Sequence, residues 1–101
     1  PGFPAVRNDS ELVRRAAEAV GAALHGVGEL AWLPRPNLGS EDFSYFQEEV
    51  PGVMLVLGCG TAGEDRGGLH AADFTPNEGC IPVGMACHAA IALRMCGYGK
   101  A

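Results

Sequence analysis

Residues 8–24 read NDSELVRRAAEAVGAAL, a stretch that predicts the first helix of the chain and one wall of its core. An apolar residue recurs at every fourth position: Leu12, Ala16, Val20 and Leu24. Such a stripe is typical of a helix that covers a hydrophobic core. Asn8 is the expected N-cap, with Glu11 three residues later as in a capping box. Gly26 and Gly28 are expected to end the helix.

Beyond this helix, two apolar runs predict strands, Glu29–Leu33 and Val53–Leu57. The second run has no polar alternation, which is typical of a parallel strand covered on both faces. Between them, Ser40 is the expected cap of a short helix that carries Glu41 and Asp42 in its first turn and continues to about Glu48. The last helix should open at Pro82 and run over Val83–Cys96, and since it is apolar on nearly every face it is expected to be buried.

The order of these elements predicts an α/β fold, with helices packed on a small, mostly parallel sheet. A chain of 101 residues is enough for a single domain, residues 1–101. Two strands are too few for a stable sheet, so further strands should come from other chains or from sequence outside this one. We therefore expect an incomplete half of a larger domain.

Composition argues against several classes of partner. Seven Lys and Arg against twelve Asp and Glu give a net charge of -5, which offers no long-range attraction to nucleic acid. No run approaches the roughly 20 apolar residues that a membrane helix needs. The four cysteines match neither a zinc motif nor a secreted disulfide framework, so a cytoplasmic protein is expected. Cys87 and Cys96 should be buried in the last helix.

A long loop, from Gly58 to about Asn77, offers the first candidate site, because ligands of α/β sheets bind beyond the carboxyl ends of strands. His70 stands in it between small residues, a setting that suits a metal ligand or a general base. A surface histidine is the structural alternative. Cys59 and His70 also allow a thiol nucleophile with its base, although no third orienting group is evident nearby.

Several segments in order resemble the C-terminal stretch of the metal-dependent amidohydrolases. This is the aminoacylase, hippurate hydrolase and indole-acetyl-amino-acid hydrolase group of the carboxypeptidase-like metallopeptidases. The segments are GSEDFSYF at 39–46, VPG at 50–52, LHAADF at 69–74 and IPVG at 81–84. Residues 3–9, FPAVRND, are similar to the return from the family's small inserted lid domain into its catalytic domain. The resemblance covers most of the chain, from about Phe3 to Gly97.

The resemblance implies a catalytic domain that holds two divalent ions, which could be zinc, manganese, cobalt or nickel. His70 matches the family's final metal ligand. In that family a metal-bridging water attacks the amide carbonyl of an N-acyl amino acid or small peptide, while a glutamate shuttles the proton. Glu41 and Asp42 would lie close to the site and order the loop or the substrate pocket.

The family's other ligands and its catalytic glutamate precede the lid domain and have no counterpart in this sequence. A zinc site needs three or more protein ligands. We therefore expect residues 1–101 to be the C-terminal portion of the catalytic domain, without the lid domain and the N-terminal half. Such a portion should contain no catalytic residue, be inactive alone, and self-associate or pair with the missing half. The alternative is a self-standing α/β module that binds a partner or oligomerises without catalysis.

Overall fold

The computed structural model describes residues 2–99 and shows three helices joined by long irregular segments. Helix α1 spans Ser10–Ala23, α2 spans Phe43–Glu49 and α3 spans Cys80–Met95. Helices α1 and α3 pack against each other. In the described part of the chain, none of the helices has the length and hydropathy needed to cross a bilayer.

The predicted α/β fold is wrong for this chain, because no strand and no sheet forms anywhere in residues 2–99. The α/β module of the alternative hypothesis is wrong in the same respect. Hydrophobicity marked Glu29–Leu33 and Val53–Leu57 as strands, but a strand exists only where a second backbone pairs with it. The first segment lies exposed, and Val56 in the second is 69% exposed rather than covered on both faces.

A side chain, rather than a neighbouring strand, bonds the backbone of Met54. The Asn8 amide donates from Nδ2 to the Met54 carbonyl (3.1 Å), and the Met54 amide donates to Asn8 Oδ1 (2.9 Å). Gln47 of α2 joins this contact, because its Nε2 donates to the Gly52 carbonyl (3.2 Å) and its Oε1 accepts from the Arg7 amide (2.9 Å). These amide groups connect the segment before α1, helix α2 and residues 52–54.

Helix α1 begins one residue later than predicted, because Asn8 is engaged with Met54 and does not cap it. Asp9 is the N-cap instead, and its Oδ1 accepts from the Leu12 amide at 2.9 Å. Glu11 does not reach back as a capping-box residue. It accepts two hydrogen bonds from Arg14 (2.6 and 3.1 Å), and this bonding lowers the pKa of the Glu11 carboxyl.

The buried core is small and comes from the predicted stripe of α1. Ala16, Val20 and Leu24 are 1%, 2% and 6% exposed. Polar contacts with α3 lie beside this stripe: Arg94 Nη2 donates to Glu18 Oε2 (2.6 Å), and Arg15 donates to the Arg94 carbonyl (3.1 Å). The two arginines thus join α1 to α3 beside the apolar stripe.

The last helix forms where it was expected but is not buried. It begins at Cys80, two residues before Pro82, and no residue of Cys80–Met95 is buried in the described structure. Only α1 packs on it as a helix, so much of its apolar surface, including Met85, stays exposed. Cys87 is half-buried, and Cys96 is exposed where a buried thiol was expected.

The long loop after Gly58 is confirmed, since residues 58–79 contain only turns and irregular backbone. We call residues 66–75 the histidine loop. Main-chain atoms close its base: the Thr75 amide donates to the Arg66 carbonyl at 2.8 Å. Gly67 has a φ of +73°, and a Cβ there would lie 3.2 Å from both the Asp73 carbonyl oxygen and Phe74 Cα. A side chain at residue 67 would therefore be strained by the backbone conformation and would crowd the returning chain.

The core predicts that Val20→Ala lowers the free energy of unfolding by about 2 kcal/mol, since it removes two buried methyl groups and leaves a cavity. Val27→Ala is the matched control, because Val27 is 70% exposed and should change stability little. Urea unfolding followed by circular dichroism measures both. Equal losses in the two variants would contradict the assignment of the core.

The histidine loop predicts that Gly67→Ala opens its base. Alanine is strained at positive φ by about 1–2 kcal/mol, and here its methyl group would also press on main-chain atoms. Gly63→Ala is the control, because Gly63 has a φ of +77° and open space around it. Hydrogen exchange at the Thr75 amide should accelerate about tenfold or more in Gly67→Ala. Each 1.4 kcal/mol or so by which the closed loop is destabilised raises the exchange rate about tenfold. Unchanged exchange would show that the loop accommodates the methyl group.

Candidate functional site

His70 lies on an exposed turn of the histidine loop. Two successive turns hold its backbone, since the Ala71 amide donates to the Gly68 carbonyl (2.9 Å) and the Phe74 amide donates to the Ala71 carbonyl (3.1 Å). Together with the closed base at Thr75 and Arg66, these bonds fix the path of the chain on both sides of the imidazole. The local sequence folds this way because Gly67 permits the close return of residues 73 and 74.

Glu41 and Asp42 precede α2 instead of lying in its first turn as expected. The Glu41 carbonyl accepts from both the amide (3.1 Å) and the hydroxyl (2.7 Å) of Ser44, the most deeply buried polar residue of the described chain. Asp42 takes the N-cap position of α2 without a side-chain capping bond. Glu41 is half-buried and Asp42 is exposed.

The three predicted site residues do not form a cluster. Over residues 2–99, no three His, Cys, Asp or Glu side chains lie close enough together to hold a metal ion. His70 can offer one imidazole nitrogen, whereas a zinc site needs at least three protein ligands. The described residues therefore do not by themselves fit a metal ion.

Two open cavities lie elsewhere. The first has a volume of about 330 Å³ and is lined by Gly58, Cys59, Gly60, Asn77, Gly79, Cys80 and Val83. The second has about 290 Å³ and is lined by Pro4, Ala5, Arg7, Ser44, Gln47 and Glu48. Cys59 lines the first cavity and His70 lines neither of these two, so neither brings together the thiol and the base that a thiol enzyme would require.

Asn77 organises the first cavity and was not among the predicted site residues. Its main-chain amide donates to the Cys59 carbonyl (2.7 Å), and its side-chain Nδ2 donates to Thr61 Oγ1 (2.7 Å). Its Oδ1 accepts from the Gly79 amide at 2.9 Å, which forms an Asx turn before α3. The one signal in the sequence was the order Asn-Glu-Gly at 77–79, which is typical of such turns.

Known proteins of similar sequence include two whose names contain the word hydrolase and one named a deacetylase. The chain is 36% identical over 85 residues to a probable hydrolase of Synechocystis, a match that covers 83% of this chain and 21% of the relative. It is 33% identical over 93 residues to IAA-amino acid hydrolase ILR1-like 2 of Arabidopsis thaliana, and this match covers 91% of the chain and 20% of the relative. An N-acetyldiaminopimelate deacetylase of Limosilactobacillus fermentum is 44% identical over 50 residues, and this match covers 50% of the chain and 12% of the relative.

The chain spans about a fifth of the length of the first two relatives. No solved structure matches it. The resemblance to the amidohydrolase group is confirmed by the names of these relatives and by a family model, described as peptidase family M20/M25/M40, that matches residues 1–94. On that match over nearly the whole sequence, the chain belongs to peptidase family M20/M25/M40.

Proposed function

We propose that this chain is part of a metal-dependent amidohydrolase that cleaves the amide bond of N-acyl amino acids or small peptides. The family match over residues 1–94 carries this proposal. The names of the relatives support the substrate class, because one contains "amino acid hydrolase" and another describes removal of an N-acetyl group. Both names fit hydrolysis of an acylated amine.

Residues 1–101 would form the C-terminal portion of the catalytic domain, with the lid domain and the N-terminal half supplied by further sequence. The coverage of the relatives supports this, since the chain matches about a fifth of their length. The small core supports it as well, because Ala16, Val20 and Leu24 are the only buried apolar residues of the described chain. Exposed apolar side chains of α3 and of Val53–Leu57 would be covered by the rest of the enzyme or by a second copy.

His70 would be one metal ligand of the complete site. Its exposed position on a loop with a closed base leaves the imidazole accessible to a metal ion held by residues outside this chain. The ions would be zinc, manganese, cobalt or nickel, two in the complete site, all of which accept imidazole nitrogen. Glu41 and Asp42 would order the pocket. A cytoplasmic enzyme is supported by the four free cysteines.

In the complete gene product, His70→Ala should reduce hydrolysis of N-acyl amino acids by about two orders of magnitude, because loss of a ligand exceeds the 10–100-fold effect of losing its supporting contacts. The bound metal, measured by plasma mass spectrometry, should fall as well. His88→Ala is the control, since His88 is exposed on α3 and lies outside the histidine loop. Full activity and metal content in His70→Ala would refute the ligand role.

Residues 1–101 alone should show no hydrolase activity, because the described chain offers no group of three ligands for a metal ion. The purified chain is incubated with hippurate and with N-acetyl amino acids, in the presence of zinc or manganese. Release of the free amino acid should not exceed that of the metal blank. Turnover well above the blank would show that a working site forms within this chain.

A further inference from the structure

Two cysteine thiols line the same cavity. Cys59 and Cys80 are both free and half-buried, and both contribute to the wall of the first cavity, whose volume is about 330 Å³. Three of the other residues that line it are glycines, at positions 58, 60 and 79. The two cysteines therefore border a common space that is open to solvent and has little side-chain bulk along most of its wall.

Asn77 fixes the backbones of both cysteines. The main-chain amide of Asn77 donates to the Cys59 carbonyl at 2.7 Å, and the main-chain carbonyl of Asn77 accepts from the Cys80 amide at 3.0 Å. The second bond closes a four-residue turn, whose end Cα atoms lie within about 7 Å. Cys59, at the start of the long loop, and Cys80, the first residue of α3, are thus held against the same residue although 21 positions separate them in the sequence.

The other two cysteines are placed differently. Cys87 lies farther along α3, Cys96 directly follows the helix as its C-cap, and neither residue lines the cavity. At 1.5 Å per residue, Cys80 and Cys87 are about 10 Å apart along the helix, and Cys87 and Cys96 about 13 Å. Both separations exceed the roughly 7 Å between Cα atoms that a disulfide tolerates. Cys80, Cys87 and Cys96 therefore cannot bond to one another while the helix is intact.

We propose that Cys59 and Cys80 form a redox-active dithiol site that hydrogen peroxide converts to an intramolecular disulfide. One thiol attacks a peroxide oxygen, the O–O bond breaks, and a sulfenic acid and one water form. The second thiol attacks the sulfenic sulfur, the S–S bond forms, and the sulfenic hydroxyl leaves with the thiol proton as a second water. Two thiols lose two electrons and the peroxide gains them.

The bond would join the two ends of the segment that carries the histidine loop. Thiol reductants would reverse it by thiol–disulfide exchange. The site is built from Cys59, Cys80 and Asn77 alone, so it is independent of the proposed hydrolase function. Either conclusion can fail without affecting the other.

The test uses the complete gene product in its native state. The protein is treated with hydrogen peroxide, remaining thiols are blocked with N-ethylmaleimide, and a non-reduced digest is read by mass spectrometry. A cross-linked peptide containing Cys59 and Cys80 should appear, lighter by two hydrogens than the separate peptides together. It should exceed any other cysteine pairing at least tenfold and disappear after dithiothreitol.

Variants assign the chemistry to the two thiols. In Cys59→Ser and in Cys80→Ser the cross-link should vanish, and the remaining thiol should be labelled by dimedone as sulfenic acid. Cys87→Ser and Cys96→Ser are matched controls and should leave the cross-link unchanged. A native protein that gives no Cys59–Cys80 peptide while its methionines become oxidised, or that pairs either cysteine elsewhere, would overturn the proposal. This readout comes from the unmodified protein and does not depend on how the variants fold.

Discussion

The contact between α1 and α3 holds this fold together. The buried stripe of α1 supplies its apolar part, and Arg94 supplies its polar part by bonding Glu18 through its side chain while its carbonyl accepts from Arg15. The cavity with its two cysteines lies at the first turn of α3, and Asn77, which follows the histidine loop, bonds to that same turn.

The helices could be predicted from the sequence because their signals are local. An apolar residue at every fourth position located α1, and the proline and glycine around the final apolar run located α3. The strands could not be predicted, since pairing depends on which backbone lies alongside. For Met54 that partner is the side chain of Asn8, 46 residues away, and the same contact explains why Asn8 does not cap α1.

The candidate sites likewise divide into features with a local signal in the sequence and features that depend on distant contacts. His70 was identified through a motif of adjacent residues, and its small neighbours already indicated a tight loop. The role of Asn77 depends on contacts with Cys59 and Thr61, which lie 18 and 16 positions away, and the spacing of the cysteines alone gave no indication of a shared cavity. Tertiary packing, which periodicity cannot report, brings these residues together.

The histidine loop is closed largely by main-chain groups, which every amino acid except proline carries in full. The bonds from Thr75 to Arg66, from Ala71 to Gly68 and from Phe74 to Ala71 all join main-chain groups. Position 67 favours glycine, because its φ is positive and the returning chain lies close to it. Side chains at 68, 69, 71 and 72 can therefore diverge among homologues without altering the backbone path at residue 70. Substitutions at these four positions would therefore leave the position of the His70 backbone unchanged.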